Sequence, residues 1–148
     1  MTVLDAYAVT AFLRAEPAAN DVGVLLRRPG VALTAVGVAE VLDHLIRIVG
    51  VDEEDATLDV AQLGLLDGIP VDPALGAAAG RLRARQYHRS RCPLSMADCI
   101  AAEAARSRAE PLATSDPHLL DVCRTENIAR HVLPQSDGSI WTPPPRTT

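Results

Sequence analysis

The amino-acid sequence predicts one α/β domain with a mainly parallel central sheet. Short apolar runs alternate with segments of helical periodicity along the chain, and 48% of the 148 residues are hydrophobic. A chain of this length buries roughly two thirds of its unfolded surface, which is enough for one core. No apolar stretch approaches the roughly 20 residues needed to cross a bilayer, so we expect no membrane segment.

The first quarter of the chain predicts two strands joined by a broken helix. Residues 3–9 form an apolar run rich in β-branched side chains, which is typical of a strand. Residues 10–28 follow with helical spacing that is interrupted at Glu16-Pro17, because a proline disfavours the helical conformation of the residue before it. A turn at Pro29-Gly30 then leads into a second predicted strand, residues 31–36.

The next segment predicts two helices and a short strand. Residues 38–49 place their apolar side chains on one helical face. The acidic residues 52–55 suit the positive end of a second helix dipole, so a helix should begin there. We expect its core side to consist of Leu58, Ala61 and Leu65, and we expect a short strand at residues 68–71.

The second half of the chain continues the alternation. Residues 74–88 and the Ala-rich residues 96–107 are predicted helices. Residues 111–114 predict a strand, residues 117–124 a short helix, and residues 128–133 the last strand. This pattern gives one domain over residues 1–134.

Residues 135–148 predict a Pro-rich tail that is extended or disordered. The tail contains three consecutive prolines at positions 143–145. It also contains Trp141, the only tryptophan of the chain, which we expect to pack within the tail rather than stack on a base.

Charge and cysteine content exclude several protein classes. The net charge is −5 and all 14 basic residues are arginine, so a broadly basic nucleic-acid-binding surface is excluded. Three cysteines without a CxxC pair argue against a disulfide scaffold. The N-terminus has no basic region before its apolar run, and we therefore expect a cytoplasmic protein.

Four carboxylates occur at equivalent points of the predicted pattern. Asp5 falls inside the first predicted strand, Glu40 in the first turns of the helix after the second strand, and Asp98 in the first turn of the Ala-rich helix. Asp116 follows the strand that ends at Thr114. Since ligands of parallel sheets bind outside the carboxyl ends of the strands, we expect these side chains to converge there.

Each of these carboxylates also has a structural interpretation. Asp116 stands before a proline at a helix start, and Ser95-x-x-Asp98 has the form of a capping box. Glu40 could lie on a solvated helix face. Asp5 is harder to explain in this way, because an ionised carboxylate in an apolar strand costs several kcal/mol unless it is paired or bound to a metal.

Taken together, the four acids predict a divalent metal site. Two like charges about 4 Å apart repel by about 4 kcal/mol at an effective dielectric near 20, so a converging cluster needs a cation. Oxygen ligands without paired Cys or His favour Mg²⁺ or Mn²⁺. Such an ion lowers the pKa of its bound water and neutralises a phosphate under attack, which points to phosphodiester hydrolysis.

The sequence resembles the PIN domain family, and in particular the VapC-type ribonuclease toxins of bacterial toxin–antitoxin pairs. The resemblance covers residues 1–133 and rests on an ordered set of four segments. These segments are Val3-Leu4-Asp5-Ala6-Tyr7-Ala8-Val9, Ala39-Glu40-Val41-Leu42, Ser95-Met96-Ala97-Asp98-Cys99-Ile100-Ala101-Ala102 and Leu112-Ala113-Thr114-Ser115-Asp116.

This resemblance implies a three-layer α/β/α sandwich and an Mg²⁺- or Mn²⁺-dependent endoribonuclease. Asp5, Glu40, Asp98 and Asp116 match the acidic, metal-binding positions of the family, and Thr114 matches its hydroxyl residue. An RNA substrate, a cognate antitoxin and a homodimer are implied as well. The sequence departs from the family at Tyr7, where a small hydroxyl residue is frequent, and in its Pro-rich tail.

The arginine-rich residues 81–91 have three possible roles. That segment could be a solvated helix face, an RNA-backbone track toward Asp98, or a contact for an acidic stretch of the antitoxin.

Two other functions are alternatives to the ribonuclease. The chain could be a non-catalytic PIN-like module that binds a partner. A receiver-like phosphoacceptor domain fits less well, because the chain has no lysine.

Overall fold

The computed structural model of the chain describes residues 1–146, which form four strands, seven α-helices and one π-helix. In chain order the elements are β1 (Thr2–Leu4), α1 (Ala6–Leu13), α2 (Ala19–Leu26), β2 (Val31–Ala32), α3 (Ala35–Asp43), the π-helix (His44–Val49), α4 (Glu53–Gln62), α5 (Pro73–Gln86), α6 (Met96–Ser107), β3 (Leu112–Thr114), α7 (Pro117–Thr125) and β4 (Arg130–Val132).

The four strands form one parallel sheet in the order β2-β1-β3-β4. Val3 of β1 lies in register with Ala32 of β2 on one side and with Leu112 of β3 on the other. Leu112 in turn pairs with Arg130 of β4. The predicted parallel sheet is thus confirmed, and all four strands end at the same edge.

Alternation of side chains along the strands separates the core into two layers. Val3 and Leu112 pack into a cluster with residues of α5, α6 and α7. The next residues, Leu4 and Ala113, point the opposite way and pack with residues of α1 to α4. Helices therefore cover both faces of the sheet, and the expected α/β/α sandwich is confirmed.

The first two strands are shorter than predicted. The strand expected at residues 3–9 ends at Leu4, because Asp5 accepts a hydrogen bond from the backbone N–H of Ala8 and caps α1. The strand expected at residues 31–36 stops in the same way, since Thr34 caps α3. Asp5 consequently follows β1 instead of lying inside it.

The helix predicted at residues 38–49 is also different. It begins earlier, at Ala35, and continues beyond Asp43 as the π-helix to Val49. Gly50 ends it in the left-handed conformation with φ +86°, which glycine adopts without strain. No helix within residues 1–146 has the length and apolar character that a membrane span requires.

The prediction that Leu58, Ala61 and Leu65 face the core was correct for Leu65 and wrong for the other two residues. Leu58 is 54% exposed and Ala61 is exposed as well, whereas Ala56 and Val60 are buried. The helix ends at Gln62, and the left-handed Gly64 turns the chain so that Leu65 reaches the core from outside the helix. The strand expected at residues 68–71 is reduced to a single parallel bridge between Thr34 and Ile69.

The second half follows the predicted pattern closely. Helix α6 spans Met96–Ser107, as predicted, and β3 and α7 lie within one residue of their predicted ends. The last strand is shorter than residues 128–133, since only Arg130–Val132 pair with β3. Part of the tail folds back, closing a turn in which the Gln135 N–H donates to the carbonyl of Ser139. Residues 147 and 148 of the predicted tail lie outside the described residues.

Glu126, directly after α7, connects three helices through hydrogen bonds. Its carboxylate accepts hydrogen bonds from Arg85 and Gln86 of α5 and from Arg106 of α6. The Glu126 side chain is only 12% exposed. The Arg85 guanidinium, helped by Arg106 and Gln86, lowers the pKa of Glu126 to about 2.

We expect Glu126→Gln to lower the free energy of unfolding by about 1–2 kcal/mol at pH 7. The effect is this small because solvent screens the partly exposed arginines. Since the pKa of Glu126 is lower in the folded chain, its stabilisation is present above about pH 4.5 and is lost as the pH falls toward 2. Urea unfolding from pH 2 to 7 measures this dependence. Asp67→Asn, which neutralises an exposed carboxylate outside any described ion pair, is the control. A difference between Glu126→Gln and wild type that is independent of pH would contradict the prediction.

Candidate functional site

The four carboxylates singled out in the sequence line one pocket of about 540 Å³. Asp5 directly follows β1 and Asp116 lies two residues after the end of β3, whereas Glu40 is supplied by α3 and Asp98 by α6. The parallel topology brings these distant positions together, because every strand delivers the chain to the same edge of the sheet.

Asp5 is the most buried of the four, with 8% of its surface exposed. Its Oδ1 accepts a hydrogen bond of 2.8 Å from the Ala8 N–H, and its Oδ2 accepts one from the hydroxyl of Thr114. The Thr114 Oγ1 also accepts a bond of 3.1 Å from the Asp116 N–H. The fully buried Thr114 therefore connects the two aspartates through its hydroxyl group.

Asp98 and Asp116 are helix caps and pocket residues at the same time. Asp98 Oδ2 accepts from the Ser95 N–H at 2.9 Å in the predicted capping box. Asp116 Oδ1 accepts from the His118 N–H at 2.8 Å as the N-cap of α7. Among the described residues, their other oxygens, Asp98 Oδ1 and Asp116 Oδ2, accept no protein hydrogen bond. The structural and the chemical interpretation of these residues are thus compatible.

Glu40 lies in the middle of α3 and is held by no side-chain hydrogen bond or ion pair within residues 1–146. Its neighbour Asp43 lines the same pocket but pairs with Arg47, with an Nη2–Oδ2 distance of 2.8 Å. His44, one turn after Glu40, also lines the pocket. The Glu40 carboxylate is therefore free to bind a ligand.

Burial raises the pKa values of three acids that line the pocket, Asp5, Asp98 and Glu40. Burial raises the pKa of Asp5 to about 7; the bonds from Thr114 and Ala8 oppose the rise, and the charges of Asp98 and Asp116 add to it. Burial likewise raises the pKa of Asp98, with a contribution from Asp116, and the pKa of Glu40, with a contribution from Asp98. No arginine lines the pocket among the described residues, and Arg47 pairs with Asp43 only, so the charges of Asp5, Glu40, Asp98 and Asp116 are not compensated by an ion pair there.

The carboxylate oxygens of the pocket are the type of ligand that a hydrated divalent cation binds. Within residues 1–146, no three His, Cys, Asp or Glu side chains are grouped closely enough to enclose an ion by themselves. Mg²⁺ retains several waters and is bound through only one or two carboxylates, so it does not need a closed cage. Uncompensated carboxylate oxygens around an open pocket are suitable ligands for such an ion.

Several pocket residues were not singled out from the sequence as site residues. Ser115 sits between two such residues, and Tyr7 lines the pocket while its hydroxyl donates to Glu16 at 2.8 Å. Gln135 and Ser136 come from beyond the predicted end of the domain at residue 134. No periodicity or spacing in the sequence indicates that the tail returns to the site.

The arginine-rich segment 81–91 divides into anchored and free side chains. Arg83 donates to the Leu94 carbonyl at 2.9 Å and lies 4.2 Å from the ring centroid of Tyr87. Arg85 pairs with Glu126. Arg81, Arg89 and Arg91 are exposed. Two of the five arginines thus have structural roles, while an RNA or antitoxin contact by the others stays a prediction.

Comparison with known families decides the classification of the chain. Residues 2–125 match the model of the PIN domain. The chain belongs to the PIN domain family. PIN domains are generally nucleases and typically use divalent metal ions. No curated protein matches the sequence of this PIN domain significantly.

Solved structures with the same fold are distant in sequence. FitAcB from Neisseria gonorrhoeae is 20% identical with a TM-score of 0.65, and the match covers 88% of this chain and 96% of that one. VapBC2 from Rickettsia felis, bound to a promoter DNA fragment, is 16% identical with a TM-score of 0.64 over 88% and 96%. A toxin–antitoxin complex from Klebsiella pneumoniae is 15% identical with a TM-score of 0.60 over 78% and 87%. At these identities the likeness establishes the fold.

We expect the metal-free protein to become less stable as the pH rises from about 4 to about 7. The pKa of Asp5 is 3.8 in an unperturbed chain and about 7 in the folded one. The unfolded state therefore releases the proton at lower pH, and a rise in pH stabilises it relative to the folded state. Asp5→Asn removes this slope and should stabilise the protein by about 1–3 kcal/mol at pH 8.

Denaturant unfolding in EDTA across this pH range measures the effect. Asp72→Asn is the matched control, because Asp72 caps α5 outside the pocket and asparagine caps equally well. Parallel pH profiles for wild type and Asp5→Asn would show that the Asp5 carboxylate does not resist ionisation.

Proposed function

We propose that this PIN domain is a metal-dependent endoribonuclease that acts as the toxin of a toxin–antitoxin pair. It would hydrolyse RNA phosphodiester bonds with a metal-activated water. One observation carries the proposal: carboxylates from four separate elements line one pocket without an arginine to compensate them. A stable fold retains such a cluster when a cation is available to neutralise it.

Asp5, Glu40, Asp98 and Asp116 are the residues that would hold Mg²⁺ or Mn²⁺. Their oxygens are the ligand type that these ions prefer. A bound ion supplies a water of lowered pKa and neutralises negative charge on the phosphate under attack.

The chain's own residues would prepare the site for this chemistry. Thr114 fixes the orientation of Asp5 by donating to Oδ2, and its oxygen positions the Asp116 backbone. The capping bonds hold Asp98 and Asp116 by one oxygen each. Asp116 keeps Oδ2 available to orient an attacking water, and Asp5 must release its proton before it can act as a ligand.

The proposed partners are an RNA substrate, a cognate antitoxin and a second copy of the chain. The antitoxin is supported by the fold shared with the toxin–antitoxin complex from Klebsiella pneumoniae. An antitoxin that blocks the pocket would keep the nuclease inactive. The RNA substrate in turn favours a cytoplasmic location.

We expect purified protein to cleave labelled RNA with Mg²⁺ or Mn²⁺ and to lose this activity in EDTA. Asp98→Asn and Asp116→Asn should each lower the rate at least about 100-fold, because each removes one negative charge from the pocket. Asparagine at position 116 preserves the cap of α7. Asp72→Asn should cleave like wild type, since its cap lies outside the pocket.

Sequencing of the cleavage ends, with Asp98→Asn as the inactive comparison, identifies the RNA. Wild-type protein that binds Mn²⁺ but cleaves no RNA with either metal would instead be a non-catalytic partner-binding module.

We expect Mn²⁺ affinity to rise about tenfold per pH unit below pH 7 and to level off above it. Metal ligands must be deprotonated, and the pKa of Asp5 is about 7. Isothermal titration of Mn²⁺ between pH 5.5 and 8.5 measures this profile for wild type, Asp5→Asn and the control Asp72→Asn. Equal affinities of wild type and Asp5→Asn would remove Asp5 from the metal ligands.

A further inference from the structure

Part of the pocket wall comes from the C-terminal segment 135–141, called here the tail loop. Gln135 and Ser136 line the pocket. Both residues lie beyond residue 125, where the match to the PIN domain ends. This part of the wall therefore lies outside the matched region.

Hydrogen bonds give the tail loop a defined shape. The Gln135 N–H donates to the Ser139 carbonyl and the Gly138 N–H donates to the Gln135 carbonyl, both at 2.8 Å. Asp137 Oδ1 accepts from the Ser139 N–H at 2.9 Å. Gly138 adopts φ +85°, a conformation that favours glycine and closes the turn.

Both ends of the tail loop are attached to the elements that carry the site. At its start, the N–H of the buried Leu133 donates to the Thr114 carbonyl at 2.9 Å. At its end, the Trp141 Nε1–H donates to Asp121 Oδ1 at 3.0 Å, and Arg130 lies 5.2 Å from the Trp141 ring centroid. Asp121 belongs to α7, the helix that Asp116 caps, so Trp141 fixes the loop relative to Asp116.

The side chains of this wall suit a polar substrate. The amide of Gln135 and the hydroxyl of Ser136 donate hydrogen bonds without carrying charge. An arginine at the same place would pair with the carboxylates and compete with a cation, whereas neutral donors leave the charge of the pocket intact. Phosphate oxygens and base edges of a single RNA strand are acceptors that such donors can bind.

We propose that the tail loop contacts single-stranded RNA beside the carboxylate pocket, with Gln135 and Ser136 as substrate-binding residues and Trp141 as the positioning residue that holds them. This inference rests on the proposed function and adds to it a specificity element outside the matched family region. Trp141 acts through its bond to Asp121 and does not itself contact the RNA.

The first test separates substrate binding from chemistry in the full-length protein. Gln135→Ala and Ser136→Ala should each raise KM for a single-stranded RNA about three- to tenfold, the effect of one lost hydrogen bond, with kcat nearly unchanged. Trp141→Phe, which lacks the indole donor, should raise KM by a similar factor. Mn²⁺ affinity should be unaltered in all three. Ile140→Ala, at a side chain that is 63% exposed and does not line the pocket, is the control within the loop.

The second test does not depend on cleavage. Trp141 is the only tryptophan of the chain, so its fluorescence reports on the tail loop alone. Titrating a single-stranded RNA oligonucleotide with Mg²⁺ into Asp98→Asn should change this fluorescence, and Ser136→Ala in the same background should weaken the response. Unchanged KM values in the variants, a fall in kcat alone, faster cleavage by Trp141→Phe, or a flat titration would each overturn the inference.

The two proposals fail in different ways. Absence of cleavage by wild type would end the proposed ribonuclease function. A fluorescence response to RNA that depends on Ser136 would still support an RNA-binding tail loop in that case, and its absence would reject the loop as well.

Discussion

The hydrogen bond from Thr114 to Asp5 is the constraint on which the arrangement of the site depends. It joins the ends of two adjacent parallel strands, β1 and β3, at a position that is almost closed to solvent. A buried carboxylate is costly unless it is hydrogen-bonded. The Ala8 N–H and the Thr114 hydroxyl reduce that cost but do not remove it, because the pKa of Asp5 stays raised to about 7. The fold therefore retains a carboxylate that favours a proton or a cation.

Helix capping explains how the fold holds three aspartates in place. Asp5, Asp98 and Asp116 each accept backbone hydrogen bonds at the start of a helix, with an oxygen that the capping geometry fixes. The same bonds stabilise helices α1, α6 and α7. The residues that position these carboxylates are therefore also the residues at which the three helices begin, and for Asp5 and Asp116 the helix follows a strand. Glu40, which caps nothing, is the member whose position depends only on α3.

Charge is distributed unevenly over the molecule. The acids of the pocket have no arginine among the described lining residues, whereas Glu126 is surrounded by Arg85, Gln86 and Arg106. As a result burial raises the pKa of Asp5, and ion pairing lowers that of Glu126 to about 2. The same chemical group, a carboxylate, therefore stabilises helix packing at Glu126 and lines a pocket without a paired arginine at Asp5.

The sequence by itself determined the α/β class, the parallel sheet, the second-half helices and the convergence of Asp5, Glu40, Asp98 and Asp116, because these follow from periodicity, capping residues and chain order. It could not set the ends of β1 and β2, since an apolar run such as residues 3–9 suits a strand or a buried helix start equally well. Only the tertiary structure decided which arginines of residues 81–91 are anchored, that Leu58 faces solvent, and that Gln135 and Ser136 reach the pocket. Those outcomes depend on contacts between residues far apart in the chain, which local sequence patterns do not encode.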